Sequence, residues 1–272
     1  MEQANADLRG GWFRRLYWPS NPAGLGVAIG IALGLILLNQ VLQFVFATAA
    51  VNLLFDGGAD SLRNFVKASL VVIFPVSLVT AVAALALAGV RGGKARDVLC
   101  LRRPQLGPLG WLMVTFGFIA IMYAAMMVIV LVLGIDLAQY TPGPEGQSPE
   151  TGSAGLVKEA VFDIANEPWL FALVFPSLAL GAPIAEELIF RGQLFAALSN
   201  TRLGVSGTTV ATSGLWALMH LSEPWLSVGL IFIMGLVFGW MLYRFGSIWV
   251  PMVCHGAWNS IYALAIFGQA GQ

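Results

Sequence analysis

Charge is what this sequence has least of. Only 10% of its 272 residues are charged, against roughly 25% in an ordinary soluble domain. The 14 basic and 14 acidic residues balance, so the basic surplus that nucleic-acid binding requires is missing. Histidine occurs twice, as His220 and His255, and cysteine twice, as Cys100 and Cys254. Two cysteines make no disulfide framework. There is no HExxH zinc motif, and no internal repeat of the kind that marks inverted-repeat transporters. What fills the chain is apolar: 58% of residues are hydrophobic. A soluble protein of that composition could not cover its own surface. The sequence therefore reads as an all-α polytopic transmembrane helix bundle, with lipid as the solvent for most of its side chains.

A spanning helix needs about 20 mostly apolar residues. Seven stretches qualify, at 23–48, 66–90, 108–134, 169–198, 205–221, 225–243 and 247–267. The fourth is too long for a straight span and holds Pro176 and Pro183, so a kink is expected there. Residues 1–20 read as a cytoplasmic N-terminal segment and 21–135 as a set of N-terminal membrane helices. The apolar run after residue 20 is too long for the core of a signal peptide. Residues 136–164 read as an external loop, flexible through TPGPEGQSPETGSAG at 141–155, with a short interfacial helix at 156–167. Gly26, Gly30 and Gly34 form a small-residue ladder suited to close helix packing.

Orientation follows from the basic residues. Arg9, Arg14 and Arg15 precede the first span, and Arg91, Lys94, Arg96, Arg102 and Arg103 fill the loop after the second. Arg202 and Arg244 follow the fourth and sixth. The alternate loops hold fewer. The positive-inside rule then puts the N-terminus in the cytoplasm, and the pattern fits a bacterial inner membrane.

Against this background PIAEELIFR at 183–191 stands out. Glu186, Glu187 and Arg191 lie in a stretch that is otherwise apolar, where each charge costs at least about 2.5–3.5 kcal/mol at mid-bilayer. They must face the bundle interior or a wet cavity. Glu187 and Arg191, Trp216 and His220, and His255 and Asn259 are each four apart, hence on one helix face. At 1.5 Å per residue, Glu187, His220 and His255 lie about 17, 20 and 12 Å from a common cytoplasmic face. Three helices thus bring their polar pairs to similar depth. Cys254 points about 100° away from His255 on a helix and is expected to be a small core residue.

Glu186-Glu187-x-x-x-Arg191, Trp216-x-x-x-His220 and His255-x-x-x-Asn259, in that order, resemble the three motifs of the CAAX prenyl protease and bacteriocin-processing (CPBP, or Abi) family of intramembrane proteases. The second departs in one respect: the family usually has Phe where this chain has Trp216. The resemblance covers 165–267, a CPBP-like protease core, and implies a bundle with an intramembrane cavity facing the cytoplasm. It implies that Glu186 with His220 activates a water, that His255 and Asn259 stabilise the oxyanion, and that Arg191 holds Glu187. It leaves open which glutamate faces the reacting water. It also leaves the metal open, since Glu186, His220 and His255 could ligate Zn2+ from three helices.

The expectation is a peptidase acting on a membrane-associated or lipid-tailed peptide, with membrane lipid as its other partner and no nucleic acid. Two other classes compete. Intramembrane Glu, His and Arg could form the relay of a proton- or cation-coupled transporter. A non-catalytic immunity or scaffold protein of the same family would also carry the fold.

Overall fold

The apolar runs become helices in the computed structural model, which describes residues 16–18, 21–55, 61–135 and 153–270. The longer helices are α1 (Leu25–Leu54), α2 (Ser61–Leu87), α3 (Pro108–Leu133), α4 (Ser153–Asn166), α5 (Pro168–Leu198), α6 (Gly204–Leu218), α7 (Trp225–Phe245) and α8 (Trp249–Ala270). No strand occurs among the described residues. That is what a bilayer imposes, since backbone N–H and C=O groups in hydrocarbon must be satisfied within the segment. Local chemistry sets the ends. Pro168 and Pro108 open their helices, where a missing N–H costs nothing, and Gly134 and Gly246 close theirs at φ 62° and 60°.

Helices α1, α2, α3, α5 and α7 are long and apolar enough to cross a membrane. The fifth expected span is shorter. Helix α6 has 15 residues, about 22 Å, which is short of a hydrocarbon core about 30 Å thick. Helix α8, with 22 residues, overlies the seventh expected stretch. Of the flexible stretch expected at 141–155, residues through 152 lie outside the described residues, and Ser153 to Gly155 open α4.

Helix α5 is the centre of the bundle, in contact with α1, α2, α4, α6, α7 and α8. Its expected irregularity takes the form of two π-helical turns, Ser177–Gly181 and Leu188–Leu194, on either side of Ala182–Glu187. The first sits against a break in α2. Pro75 cannot donate to the carbonyl of Val71. The Ser177 hydroxyl donates to that carbonyl instead, at 2.9 Å, and accepts the Phe74 N–H at 3.2 Å. Backbones come close at this level: a Cβ on Gly181 would lie 2.9 Å from Phe74 Cα, and one on Gly256 would lie 2.5 Å from the Ala179 carbonyl.

The small-residue ladder of α1 is not the one the fold packs. A Cβ at Gly26, Gly30 or Gly34 would meet nothing within 4 Å. The buried face of α1 carries Ala28, Ala32 and Leu35 instead. The working ladder is on α7, where Gly235 and Gly239 pack against Ser213 and Thr209 of α6. At the other side of the bundle, Asp163 of α4 pairs with Arg63 and Lys67 of α2. Tyr17 is buried against Phe195, and its hydroxyl is hydrogen-bonded to that of Ser199 at 3.0 Å.

Two outcomes follow from this packing. Gly239→Leu forces atoms into Thr209 and should cost about 1–3 kcal/mol, the usual range for overpacking, whereas Gly30→Leu should leave thermal unfolding in detergent unchanged. Burial pushes the Cys100 thiol, in the loop between α2 and α3, up to about 12. The thiolate is the nucleophile, so at neutral pH maleimide should label Cys100 only after denaturation. Mass spectrometry of labelled peptides checks it.

Candidate active site

Glu186 and Glu187 are neighbours with opposite environments, because adjacent residues on a helix point about 100° apart. Glu187 turns inward, and its side chain is 0% exposed. Its Oε1 accepts from Arg191 Nη1 at 3.3 Å and from His255 Nδ1 at 3.2 Å. Glu186 turns to the side, with a quarter of its side chain exposed. Its Oε2 accepts the indole N–H of Trp216 at 2.6 Å. His255 lies between the carboxylates, its Nε2 4.0 Å from Glu186 Oε2, beyond hydrogen-bond reach.

Aromatic rings hold the cation. The Arg191 guanidinium carbon lies 4.4 Å from the Trp216 ring centroid and 5.2 Å from that of Phe238. Such faces attract a desolvated guanidinium by about 2 kcal/mol or more. Trp216 and Phe238 also flank His255, at 5.3 and 5.4 Å between centroids. Helices α5, α6, α7 and α8 therefore each supply one or more walls of the site.

The remaining two candidates are placed less directly. His220 is not inside α6, as its apolar context suggests, but in the turn after Leu218. Its Nδ1 lies 2.8 Å from the Trp216 carbonyl, and its ring meets Trp216 edge to face at 5.6 Å. A carbonyl only accepts, so Nδ1 carries the proton. Among the described residues the ring makes no ion pair with either glutamate. Asn259 donates to the Leu178 carbonyl at 3.0 Å, inside the first π turn of α5.

Residues 168–261 match the family model described as type II CAAX prenyl endopeptidase, Rce1-like. This segment resembles that family. It contains all six candidate residues and agrees with the resemblance drawn from the three motifs. No curated protein and no solved structure matches the chain. The Rce1-like family is a protease family, and its match together with the apolar helices makes this chain an integral membrane protein.

Among the described residues no three His, Cys, Asp or Glu side chains gather closely enough to hold a metal ion. Glu186, His220 and His255 are not gathered into such a group in this conformation. A cleft of about 460 Å³ lies elsewhere, where Asn21 and Ala23 face Asn200, Thr201 and Arg202. None of the six candidates lines it.

One site residue escapes a motif reading, and a second is read only in part. Phe238 carries no polar group, and only its place within the packed Gly235 and Gly239 ladder would have hinted at a constrained position. Trp216 is visible one turn before His220, but nothing in its spacing says that its N–H meets Glu186.

The Glu187–Arg191 pair sets a clear expectation. Arg191→Met leaves a carboxylate buried without its cation, and breaking such a pair costs about 3–5 kcal/mol. Arg191→Met with Glu187→Gln should recover much of the loss. Thermal unfolding of the detergent-solubilised variants measures both.

Proposed function

We propose that this chain is an intramembrane endopeptidase that hydrolyses a peptide bond of a membrane-associated or lipid-tailed peptide with a water activated by Glu186 and His220. The observation that carries the reading is the division of labour between the two glutamates. Glu187 is fully buried, its Oε1 bound to Arg191 and His255, while Glu186 is a quarter exposed and has an oxygen open to a water. Peptide hydrolysis needs a base for that water, an acid for the leaving amine and donors for the oxyanion.

In this reading Glu186 takes the proton of the attacking water and later delivers it to the departing nitrogen. His220, protonated at Nδ1 by its bond to the Trp216 carbonyl, offers Nε2 as the acceptor that orients the same water. Nε2 of His255 and the second amide N–H of Asn259 donate to the oxyanion. For Nε2 to donate, the His255 ring must carry both protons, and it faces two carboxylates in that state. Arg191 keeps Glu187 in position beneath it.

The finer topology belongs to the same proposal. Seven crossings place the N-terminus in the cytoplasm of a bacterial inner membrane and open the site toward that side. The arginine-rich segments before α1 and between α2 and α3 support this orientation. Gathering of the charged groups at one level favours hydrolysis over transport, because an ion pathway would distribute them through the membrane.

The test uses metal-stripped protein in detergent and quenched peptides with and without lipid tails. Wild type should cleave at least one lipid-tailed peptide, and Glu186→Ala and His220→Ala should lose at least about 10²-fold in kcat, the scale of general-base catalysis. Equal cleavage by wild type and Glu186→Ala overturns the reading. Activity restored only by added zinc would replace the glutamate-water mechanism with a metal-dependent one.

A further inference from the structure

Trp216 touches both members of the proposed water-activating pair, through different atoms. Its indole N–H donates to Glu186 Oε2 at 2.6 Å. Its backbone carbonyl accepts from His220 Nδ1 at 2.8 Å. We propose that Trp216 is the positioning residue of the site: its side chain holds the Glu186 carboxylate, and its carbonyl selects the His220 tautomer that leaves Nε2 as an acceptor. The proposal rests on the peptidase reading and extends it to a residue that touches no substrate.

The ring is well placed to do this because it cannot turn. Trp216 is 2% exposed. The guanidinium of Arg191 covers one part of it at 4.4 Å, His255 meets it edge to face at 5.3 Å, and Phe238 lies at 5.9 Å. The indole N–H vector is therefore set by packing, and the carboxylate that accepts it loses its own rotational freedom. Glu186 needs such a restraint. It is the partly exposed glutamate, and among the described residues its one ion-pair contact is His255 at 4.0 Å, so it would otherwise sample several rotamers. Indole is a donor only, so it can hold a carboxylate without competing for the proton that Glu186 takes from water. A phenylalanine at this position, as the family resemblance leads one to expect, would keep the aromatic contacts and lack the donor.

The His220 contact is of a different kind. His220 lies beyond the end of α6, where the helix no longer orients side chains. The Trp216 carbonyl, four residues earlier, is one of the last of that helix; it accepts the Met219 N–H at 3.2 Å and has a second lone pair for another donor. The imidazole supplies one. Substitution of the Trp216 side chain leaves this carbonyl in place, so the two contacts separate experimentally.

The experiment compares full-length wild type, Trp216→Phe and Glu186→Ala in detergent on the lipid-tailed peptide that wild type cuts best. Trp216→Phe should lower kcat about 10- to 100-fold, the scale of a misplaced catalytic group, with KM within about twofold. An unchanged kcat in Trp216→Phe, with Glu186→Ala inactive, overturns the positioning role and leaves the peptidase reading intact. Full activity of Glu186→Ala defeats the peptidase reading itself. A second measurement needs neither turnover nor a Trp216 variant. In ¹⁵N-tryptophan-labelled protein, one of the nine indole N–H resonances should lie downfield and move upfield in Glu186→Gln; no movement of any indole resonance overturns the proposal. In ¹⁵N-histidine-labelled protein, neutral His220 should show the Nδ1–H tautomer, and the Nε2–H tautomer would overturn the second half.

Discussion

One carboxylate oxygen, Glu187 Oε1, is shared between Arg191 Nη1 and His255 Nδ1, and the rest of the site is arranged around it. The bond to Arg191 is internal to α5, whereas the bond to His255 ties α5 to α8. The guanidinium, once held, lies on Trp216 of α6 and Phe238 of α7. Buried ion pairs are weak stabilisers, since desolvation offsets much of their attraction. Their contribution here is register: if α5 slid by one helical turn, Glu187 and Arg191 would move together and leave His255 of α8 and the rings of Trp216 and Phe238 behind. The pair thereby fixes how four helices stand against one another along their axes.

That arrangement demands close approach, and the chain supplies it with small residues. Gly256 lets α8 reach the Ala179 carbonyl, and Gly181 lets α5 lie on the α2 backbone at Phe74. Gly235 and Gly239 bring α7 onto Thr209 and Ser213, which sets Phe238, between those glycines, against Trp216. The first π turn of α5 serves the same end. It brings Ser177 to the backbone of α2 opened by Pro75, and leaves the Leu178 carbonyl for Asn259. Apolar packing, backbone satisfaction and the charged site are thus solved at one level of the bundle by the same short segment.

Much of this is legible in the order of the residues. Hydrocarbon permits few solutions for a backbone, so the apolar runs mark the helices, and their Pro and Gly punctuation marks several ends. Charge is expensive in lipid, so Glu186, Glu187, Arg191 and the two histidines announce themselves by position alone. The α-helical period correctly pairs Glu187 with Arg191. It serves less well elsewhere. The apolar run around His220 extends α6 through it, yet the helix ends two residues earlier. The glycine ladder on α1 has the right spacing but meets none of the described residues, because spacing identifies a stripe but not the partner that would fill it.

Sequence alone determined that the chain is a helical membrane protein, where most of its helices run, and which few polar residues must be sheltered together. These follow from transfer free energies summed over many residues, which depend on composition and period. Only the tertiary structure decided which glutamate is buried and which keeps an open face. It also decided that His220 meets a carbonyl rather than a carboxylate, and that Trp216 is a donor to Glu186 as well as a wall. Those outcomes turn on differences of an ångström or two between particular atoms. They are set by how the π turns of α5 and the glycines of α7 and α8 let the helices meet, and no periodicity along one chain encodes them.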